Sequence, residues 1–201
     1  AEIFAGNMLL VAERNAAEIA AGGEAVHGIT KFSDMHQDEF TSLFNGSGPN
    51  SATPEKVLMG LPKVNSTDLV DWTGTLTTPV KDQAQCGSCW AFSATEQFES
   101  DVMRVLKTTY ELSPQQVVSC DTKSAGCRGG NTETAYAYLK KFGGQEQESD
   151  YPYASQNGIS HRCQDDVSKA VATLDGFTTV RGEDNMASFV TSTGPLSICV
   201  D

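Results

Sequence analysis

All six cysteines, at positions 86, 89, 120, 127, 163 and 199, fall in the C-terminal two-thirds of this 201-residue chain, and the first 85 residues have none. So uneven a distribution points to two segments with different duties: a front that folds without cross-links and a body that cross-links can brace. The charge balance narrows what such a body can do. With 14 Lys and Arg against 26 Asp and Glu, the formal charge is -12, which argues against a basic nucleic-acid-binding surface. The acidity is spread along the chain rather than gathered in a tail, the pattern of a solvated surface. Apolar runs are only a few residues long, far short of the roughly 20 that a membrane span needs. Neither a phosphate-cradling G-x-x-x-x-G-K-[ST], an H-E-x-x-H nor a dinucleotide fingerprint is present, which sets nucleotide and zinc-hydrolase chemistry aside.

The stretch Cys86-Gly87-Ser88-Cys89-Trp90 admits three chemistries: a redox dithiol, half of a metal site, or a disulfide cysteine beside a nucleophile. A structural zinc site needs a second closely spaced Cys or His pair, but Cys120 and Cys127 are well separated and no histidine stands nearby. A redox pair at a helix start has the right electrostatics for a low thiol pKa, yet the expected βαβ context is missing upstream. The third reading draws on the residues C-terminal to Cys89. Trp90, Ala91, Ala94, Phe98, Val102 and Leu106 recur at helical spacing, which predicts a helix over 89–106 with one buried stripe. Cys89 then lies in its first turn, where unpaired backbone N–H groups and the positive dipole end favour thiolate over thiol.

Local signals place the connections. Gly46, Gly48, Pro49, Asn50, Ser51 and Pro54 make a flexible stretch open to proteolysis. Asn45-Gly46-Ser47 and Asn65-Ser66-Thr67 are sequons, so Asn45 and Asn65 are glycosylation candidates and fit a secreted or endomembrane route. Residues 170–179 and 196–200, rich in Val, Ile and Thr, are candidate strands.

The segment Pro79-Val80-Lys81-Asp82-Gln83-Ala84-Gln85-Cys86-Gly87-Ser88-Cys89-Trp90-Ala91-Phe92-Ser93 resembles the active-site segment of papain-family cysteine proteases, whose signature is C-G-[SA]-C-[WY]. Leu112-Ser113-Pro114-Gln115-Gln116, Cys120-Asp121, Gly126-Cys127-Arg128-Gly129-Gly130, Tyr151-Pro152-Tyr153 and Gly194-Pro195-Leu196-Ser197 come next, in the family's order. In the front, Phe4, Asn7, Val11 and Asn15 are similar to the second half of the family's helical E-R-F-N-I-N pattern, with Val for Ile. Gly28, Thr30, Phe32 and Asp34 resemble its G-N-F-D motif, with Thr for Asn. The resemblance therefore covers essentially the whole chain and points to the cathepsin-L-like branch.

What the resemblance implies is specific. The fold class is α+β: a papain-like fold with a helical left domain and the beginning of a β-rich right domain, preceded by a helical propeptide remnant. Residues 1–60 would be a partial inhibitory propeptide whose extended segment crosses the active-site cleft. Residues 61–201 would be a partial peptidase domain. Cys89 would be the nucleophile and Gln83 the oxyanion-binding glutamine. Cys86 would pair with Cys127 and Cys120 with Cys163, where six cysteines alone allow fifteen pairings. Gly129 and Gly130 would form the edge along which substrate backbone pairs. Asn131 and Thr132 would line one wall of the main specificity pocket, where relatives usually have larger apolar residues, and Cys199 its opposite side.

The family's histidine and asparagine usually lie roughly 130 to 150 residues after the cysteine, and so are expected beyond Asp201. His27, His36 and His161 are expected at the surface. The chain enters the propeptide pattern midway and reads as an internal stretch of a longer precursor, a cysteine endopeptidase zymogen with little activity in this stretch alone. The resemblance implies no cofactor and no metal. Polypeptide substrates, the chain's own propeptide and cystatin-like inhibitors are its partners, with no nucleic acid and no membrane. It also implies an acidic lysosome- or vacuole-like compartment, or secretion, with protonation of Asp34 weakening the propeptide. A non-catalytic protease-like binding or inhibitory protein, or a dithiol oxidoreductase using Cys86 and Cys89, are the other readings.

Overall fold

The computed structural model describes residues 1–44, 52–64 and 69–198. Asn45, Asn65 and Cys199 lie outside the described residues. Contacts divide the chain into two compact units, Ala1–Asn45 and Gly46–Asp201.

In the first unit, helix α1 (Glu2–Ala20) has a half-buried stripe of Phe4, Asn7, Met8, Val11 and Asn15. Its two asparagines work as clamps. The Asn7 amide donates to the carbonyls of Ser33 (3.0 Å) and Met35 (2.9 Å). The Asn15 amide donates to the His27 carbonyl at 2.8 Å and accepts from the His27 N–H at 2.8 Å, like one rung of a sheet. A loop too polar to bury is thus held to the helix by amides. Gly22, at φ 86°, supplies the left-handed residue that ends α1, and the Gly23 N–H returns to the Glu18 carbonyl, as glycine-terminated helices do. Phe32 meets Phe40 of helix α2 (Gln37–Phe44) edge to face at 5.3 Å, while Gly28 and Asp34 are exposed. His36 and His161 are exposed as expected, but His27 is half-buried because its backbone is pinned by Asn15.

The second unit starts with strand β1 (Lys56–Leu58) and is dominated by helices α3 (Cys89–Leu106), α4 (Pro114–Cys120) and α5 (Thr132–Phe142). The core lies between these helices: Trp90, Ala91, Ala94, Phe98 and Val102 of α3 pack with Leu112, Val117, Val118, Ala135 and Leu139. Leu106, the last member of the expected stripe, is 58% exposed, because the next residue, Lys107, turns left-handed and ends the helix past the edge of the core. Helix α4 begins as its sequence dictates, with the Ser113 hydroxyl accepting the Gln116 N–H and Pro114 in the first turn, both favoured there.

Sheet is sparse and split, which gives an α+β fold. Strands β2 (Gln145–Glu146) and β3 (Ala170–Ala172) pair antiparallel, and β1 pairs parallel with β4 (Thr178–Val180). The single strand expected over 170–179 is therefore two, interrupted around Asp175-Gly176. The strand expected over 196–200 is absent from its described part, 196–198. Helix α3 takes up that segment's polar groups instead: Gln97 Oε1 accepts the Ser197 N–H at 2.7 Å, and the hydroxyls of Ser93 and Ser197 are 2.7 Å apart. Helix α6 (Glu183–Ser192) comes after β4.

Among the buried carboxylates of this unit, that of Glu99 has a cation beside it. The Glu99 carboxylate is 0% exposed and faces Lys81, itself 14% exposed, at 2.7 Å. Its other oxygen accepts the Leu112 N–H at 2.7 Å, and Thr78 donates its hydroxyl alongside Lys81. Removing one member of such a pair strands its partners without water and typically costs about 3–5 kcal/mol. Glu99→Ala is accordingly expected to lower the unfolding free energy obtained from urea denaturation by an amount in that range, whereas Val105→Ala, on the exposed face of α3, should change it by less than about 0.5 kcal/mol.

Candidate active site

The short segment before α3 is folded around one acceptor. The carbonyl of Cys86 receives the Ser88 N–H at 2.7 Å and the side-chain amide of Gln83 at 2.7 Å. Ala84 sits at φ 53°, unusual for a residue with a Cβ, and the Asp82 carboxylate accepts its N–H at 2.9 Å. Cys86 is bonded to Cys127, the Gly87 N–H donates to the Cys127 carbonyl at 2.9 Å, and Trp90 Nε1 donates to the Gly126 carbonyl at 3.2 Å. The turn carrying Gln83 is thereby fastened to the loop 126–130. Cys89 is the first residue of α3, exposed and outside both disulfides. The second disulfide joins Cys120, at the end of α4, to Cys163.

Gly129 and Gly130 lie on the loop that this bridge and Trp90 hold. Gly129 adopts φ 110°, its N–H donating to Gly126 and its carbonyl accepting from Ala125. A Cβ on Gly130 would come within 2.6 Å of both Trp90 Cδ2 and Ser124 Cβ, so side-chain packing beneath the loop demands glycine there. Asn131 caps α5 and Thr132 opens it, both half-buried. Gln83, Cys86, Cys89, Cys127, Gly129 and Gly130 therefore share one neighbourhood built on the start of α3. Of the histidines, His27 and His36 belong to the first unit, and His161 Nε2 contacts the Ala154 carbonyl at 3.0 Å.

Two alternatives lose their chemistry. Exchange between Cys86 and Cys89 requires a Cys86 thiol, but that sulfur is committed to Cys127. Cys120, Cys163 and Asp165 bring ligand-type atoms within 4.8 Å of one another, yet their two sulfurs are bonded together and offer no thiolate to a metal.

Residues 65–201 match the family model described as papain family cysteine protease. The chain is 37% identical to cysteine proteinase 15A of Pisum sativum over 190 residues, covering 88% of this chain and 52% of that protein. It is 33% identical to cysteine proteinase 1 of Dictyostelium discoideum, covering 100% of this chain and 62% of that one. Among solved structures, digestive procathepsin L 3 from Tenebrio molitor larval midgut superposes with a TM-score of 0.74 at 31% identity, over 96% of this chain and 62% of that one. Procathepsin L2 from the same source gives 0.79 at 27%, over 96% and 64%. The chain thus spans between about half and two-thirds of the length of these relatives.

Tyr153 is a site residue that spacing alone does not single out; the only signal for it is the motif Tyr151-Pro152-Tyr153. Its hydroxyl is 2.9 Å from the Gln83 carbonyl and 3.0 Å from the Ser88 hydroxyl, and its backbone N–H donates to Glu148 Oε1 at 2.7 Å. The other Glu148 oxygen is buried with no hydrogen-bond partner among the described residues. Burial pushes the Glu148 carboxyl up from its ordinary range, against the smaller pull of the Tyr153 amide and of Lys81. A carboxyl whose folded pKa is raised destabilises the fold once ionised, so its cost grows as pH climbs from the unfolded value through the folded one. Glu148→Gln should therefore raise the urea midpoint relative to wild type at pH 7 and lose that advantage near pH 3; an equal difference at both values would exclude the carboxyl as the cause.

Proposed function

Because this chain belongs to the papain family of cysteine proteases, we propose that it is part of a cysteine-type endopeptidase zymogen in which Cys89 is the nucleophile. The observation that carries this reading is an exposed Cys89 at the start of α3, with the Gln83 amide turned into the same segment through the Cys86 carbonyl. The helix start favours the thiolate. Its sulfur attacks a peptide carbonyl carbon, the carbonyl π pair moves to oxygen, and the tetrahedral oxyanion is met by the Cys89 N–H and the Gln83 side-chain amide. The Gln83 amide carries two hydrogens, and the Cys86 carbonyl takes only one of them. Collapse expels the amine and leaves a thioester, which water then hydrolyses. The histidine that supplies the proton to the amine, and the asparagine that orients it, are assigned to sequence outside these 201 residues.

Residues 1–60 are read as the inhibitory propeptide and 61–201 as peptidase, with activation by cleavage near their junction. Extended polypeptide would lie along Gly129 and Gly130, its backbone pairing with theirs as an added strand does. Cystatin-like inhibitors, and an acidic lysosomal or vacuolar compartment or secretion, complete the reading; the disulfides Cys86–Cys127 and Cys120–Cys163 suit an oxidising route.

In the protease that contains this chain, Cys89→Ala is expected to abolish turnover of a fluorogenic peptide. Gln83→Ala should lower kcat by about 10²- to 10³-fold, the usual loss for one oxyanion donor, and the 201-residue stretch alone should show no turnover. Cleavage that survives Cys89→Ala would overturn the assignment. Specificity offers an independent check, since Asn131 and Thr132 fall where relatives usually have larger apolar residues on one wall of the main specificity pocket, with Cys199 on its opposite side. Across peptides varied only at the second residue before the cleaved bond, small or polar side chains should match or exceed bulky aliphatic ones in kcat/KM, and a clear preference for bulky aliphatics would remove these three residues from that role.

A further inference from the structure

The oxyanion site proposed above takes its two donors from different pieces of chain: the Gln83 side chain from the segment before the turn, and the Cys89 N–H from the helix. Catalysis by such donors depends on how well they are held before charge develops, so something must set the spacing between the pieces. We propose that Tyr153 is that positioning residue, with a single hydroxyl bridging the backbone of Gln83 and the residue that precedes the nucleophile.

The partners dictate the proton arrangement. A carbonyl only accepts, so the Tyr153 hydroxyl donates to Gln83 at 2.9 Å and its oxygen is left to accept from the Ser88 hydroxyl at 3.0 Å, a shorter contact than the 3.4 Å from that hydroxyl to the Cys86 carbonyl. Ser88 is fully buried and is the N-cap residue of α3, one peptide bond from Cys89. The chain of bonds thus runs from the start of the nucleophile helix, through one phenol, to the backbone of the glutamine.

The phenol stands on a fixed base. The Tyr153 N–H is held by Glu148 at 2.7 Å and the Ala154 N–H by the side-chain carbonyl of Gln115, buried in α4, at 2.7 Å. The Tyr153 ring meets Phe92 of α3 edge to face at 4.9 Å. A further strut joins the same loop to the same turn, the Gln85 N–H donating to the Gln156 carbonyl at 3.1 Å. Tyr153→Phe keeps the ring packing and removes only the bridge. Its effect should fall on the transition state, because neither bond reaches the substrate.

This proposal rests on the cysteine-protease reading, and the experiment separates the two. In the protease containing this chain, assayed with a peptide amide whose acylation limits turnover, Tyr153→Phe should lower kcat about five- to tenfold, the weight of roughly one hydrogen bond, while KM stays within twofold. Ser88→Ala should act in the same direction. In a Gln83→Ala background Tyr153→Phe should change kcat by less than twofold, since the donor it positions is gone; a residue acting only on general stability would show its full effect there. An unchanged kcat in Tyr153→Phe, a rise in KM in place of a fall in kcat, or a loss repeated in full without Gln83 would each overturn the proposal. Should Tyr153→Phe fail to fold, an unchanged kcat in Ser88→Ala would do the same. Wild-type turnover that survives Cys89→Ala would overturn the protease reading and this proposal together, whereas turnover abolished by Cys89→Ala but indifferent to Tyr153→Phe removes only the positioning role.

Discussion

The carbonyl oxygen of Cys86 accepts from the Ser88 N–H and the Gln83 side chain at 2.7 Å each and from the Ser88 hydroxyl at 3.4 Å, and that shared acceptor draws the start of α3 and the glutamine into one turn. A side-chain amide on an exposed loop would otherwise sample many rotamers, at a cost in entropy whenever it had to be ordered for catalysis. Tying it to the carbonyl of a residue that is itself cross-linked to Cys127 means that the cost is met on folding. The disulfide, the Trp90 indole and the Tyr153 phenol act on the same few residues from different sides, which is why the loop 126–130 and the loop around Tyr153 belong to the site although neither carries the nucleophile.

Beneath that turn the second unit is held by an unusual amount of buried polarity. Glu99, Gln115, Gln116, Gln145 and Glu146 are all nearly or fully buried, and each has assigned partners. Gln145 Nε2 donates to Thr95 and to the Ser113 carbonyl, Gln116 accepts the Glu146 N–H, and Gln115 reaches Ser119, Ser155 and Ala154. Side chains of this kind do in the loops what a sheet ladder does elsewhere: they satisfy backbone groups that would be costly to leave unpaired away from water. With only short strands among the described residues, the chain relies on them to connect α3, α4 and the loops that support the candidate active site.

The first unit uses the same device on a smaller scale. Its helix buries little, and Leu9, Leu10 and Ile19 are exposed, so the asparagines Asn7 and Asn15, each bonding to loop backbone, do much of the work of giving the adjoining loop a fixed path.

Much of this was legible in the chain itself. The helix over Cys89–Leu106 followed from apolar spacing, because a helix repeats every 3.6 residues whatever surrounds it, and the serine and proline that start α4 follow from local backbone chemistry. Cys89, Gln83 and the two glycines were legible through an ordered set of motifs. Misreadings arose where local preference met distant partners: 170–179 divides into two strands with different neighbours, and Ser197 bonds to α3 instead of joining a sheet. Which of fifteen disulfide pairings forms, that Gly130 faces Trp90, and that the phenol of Tyr153 lies between Gln83 and Ser88 are matters of three-dimensional proximity, which periodicity cannot encode. The helix over Cys89–Leu106 and membership of the family are written in residues close together in the chain, so the amino-acid order is enough to specify them. Only the tertiary structure decided what holds them in register, since that depends on groups some 40 to 70 residues apart meeting within hydrogen-bond or disulfide distance.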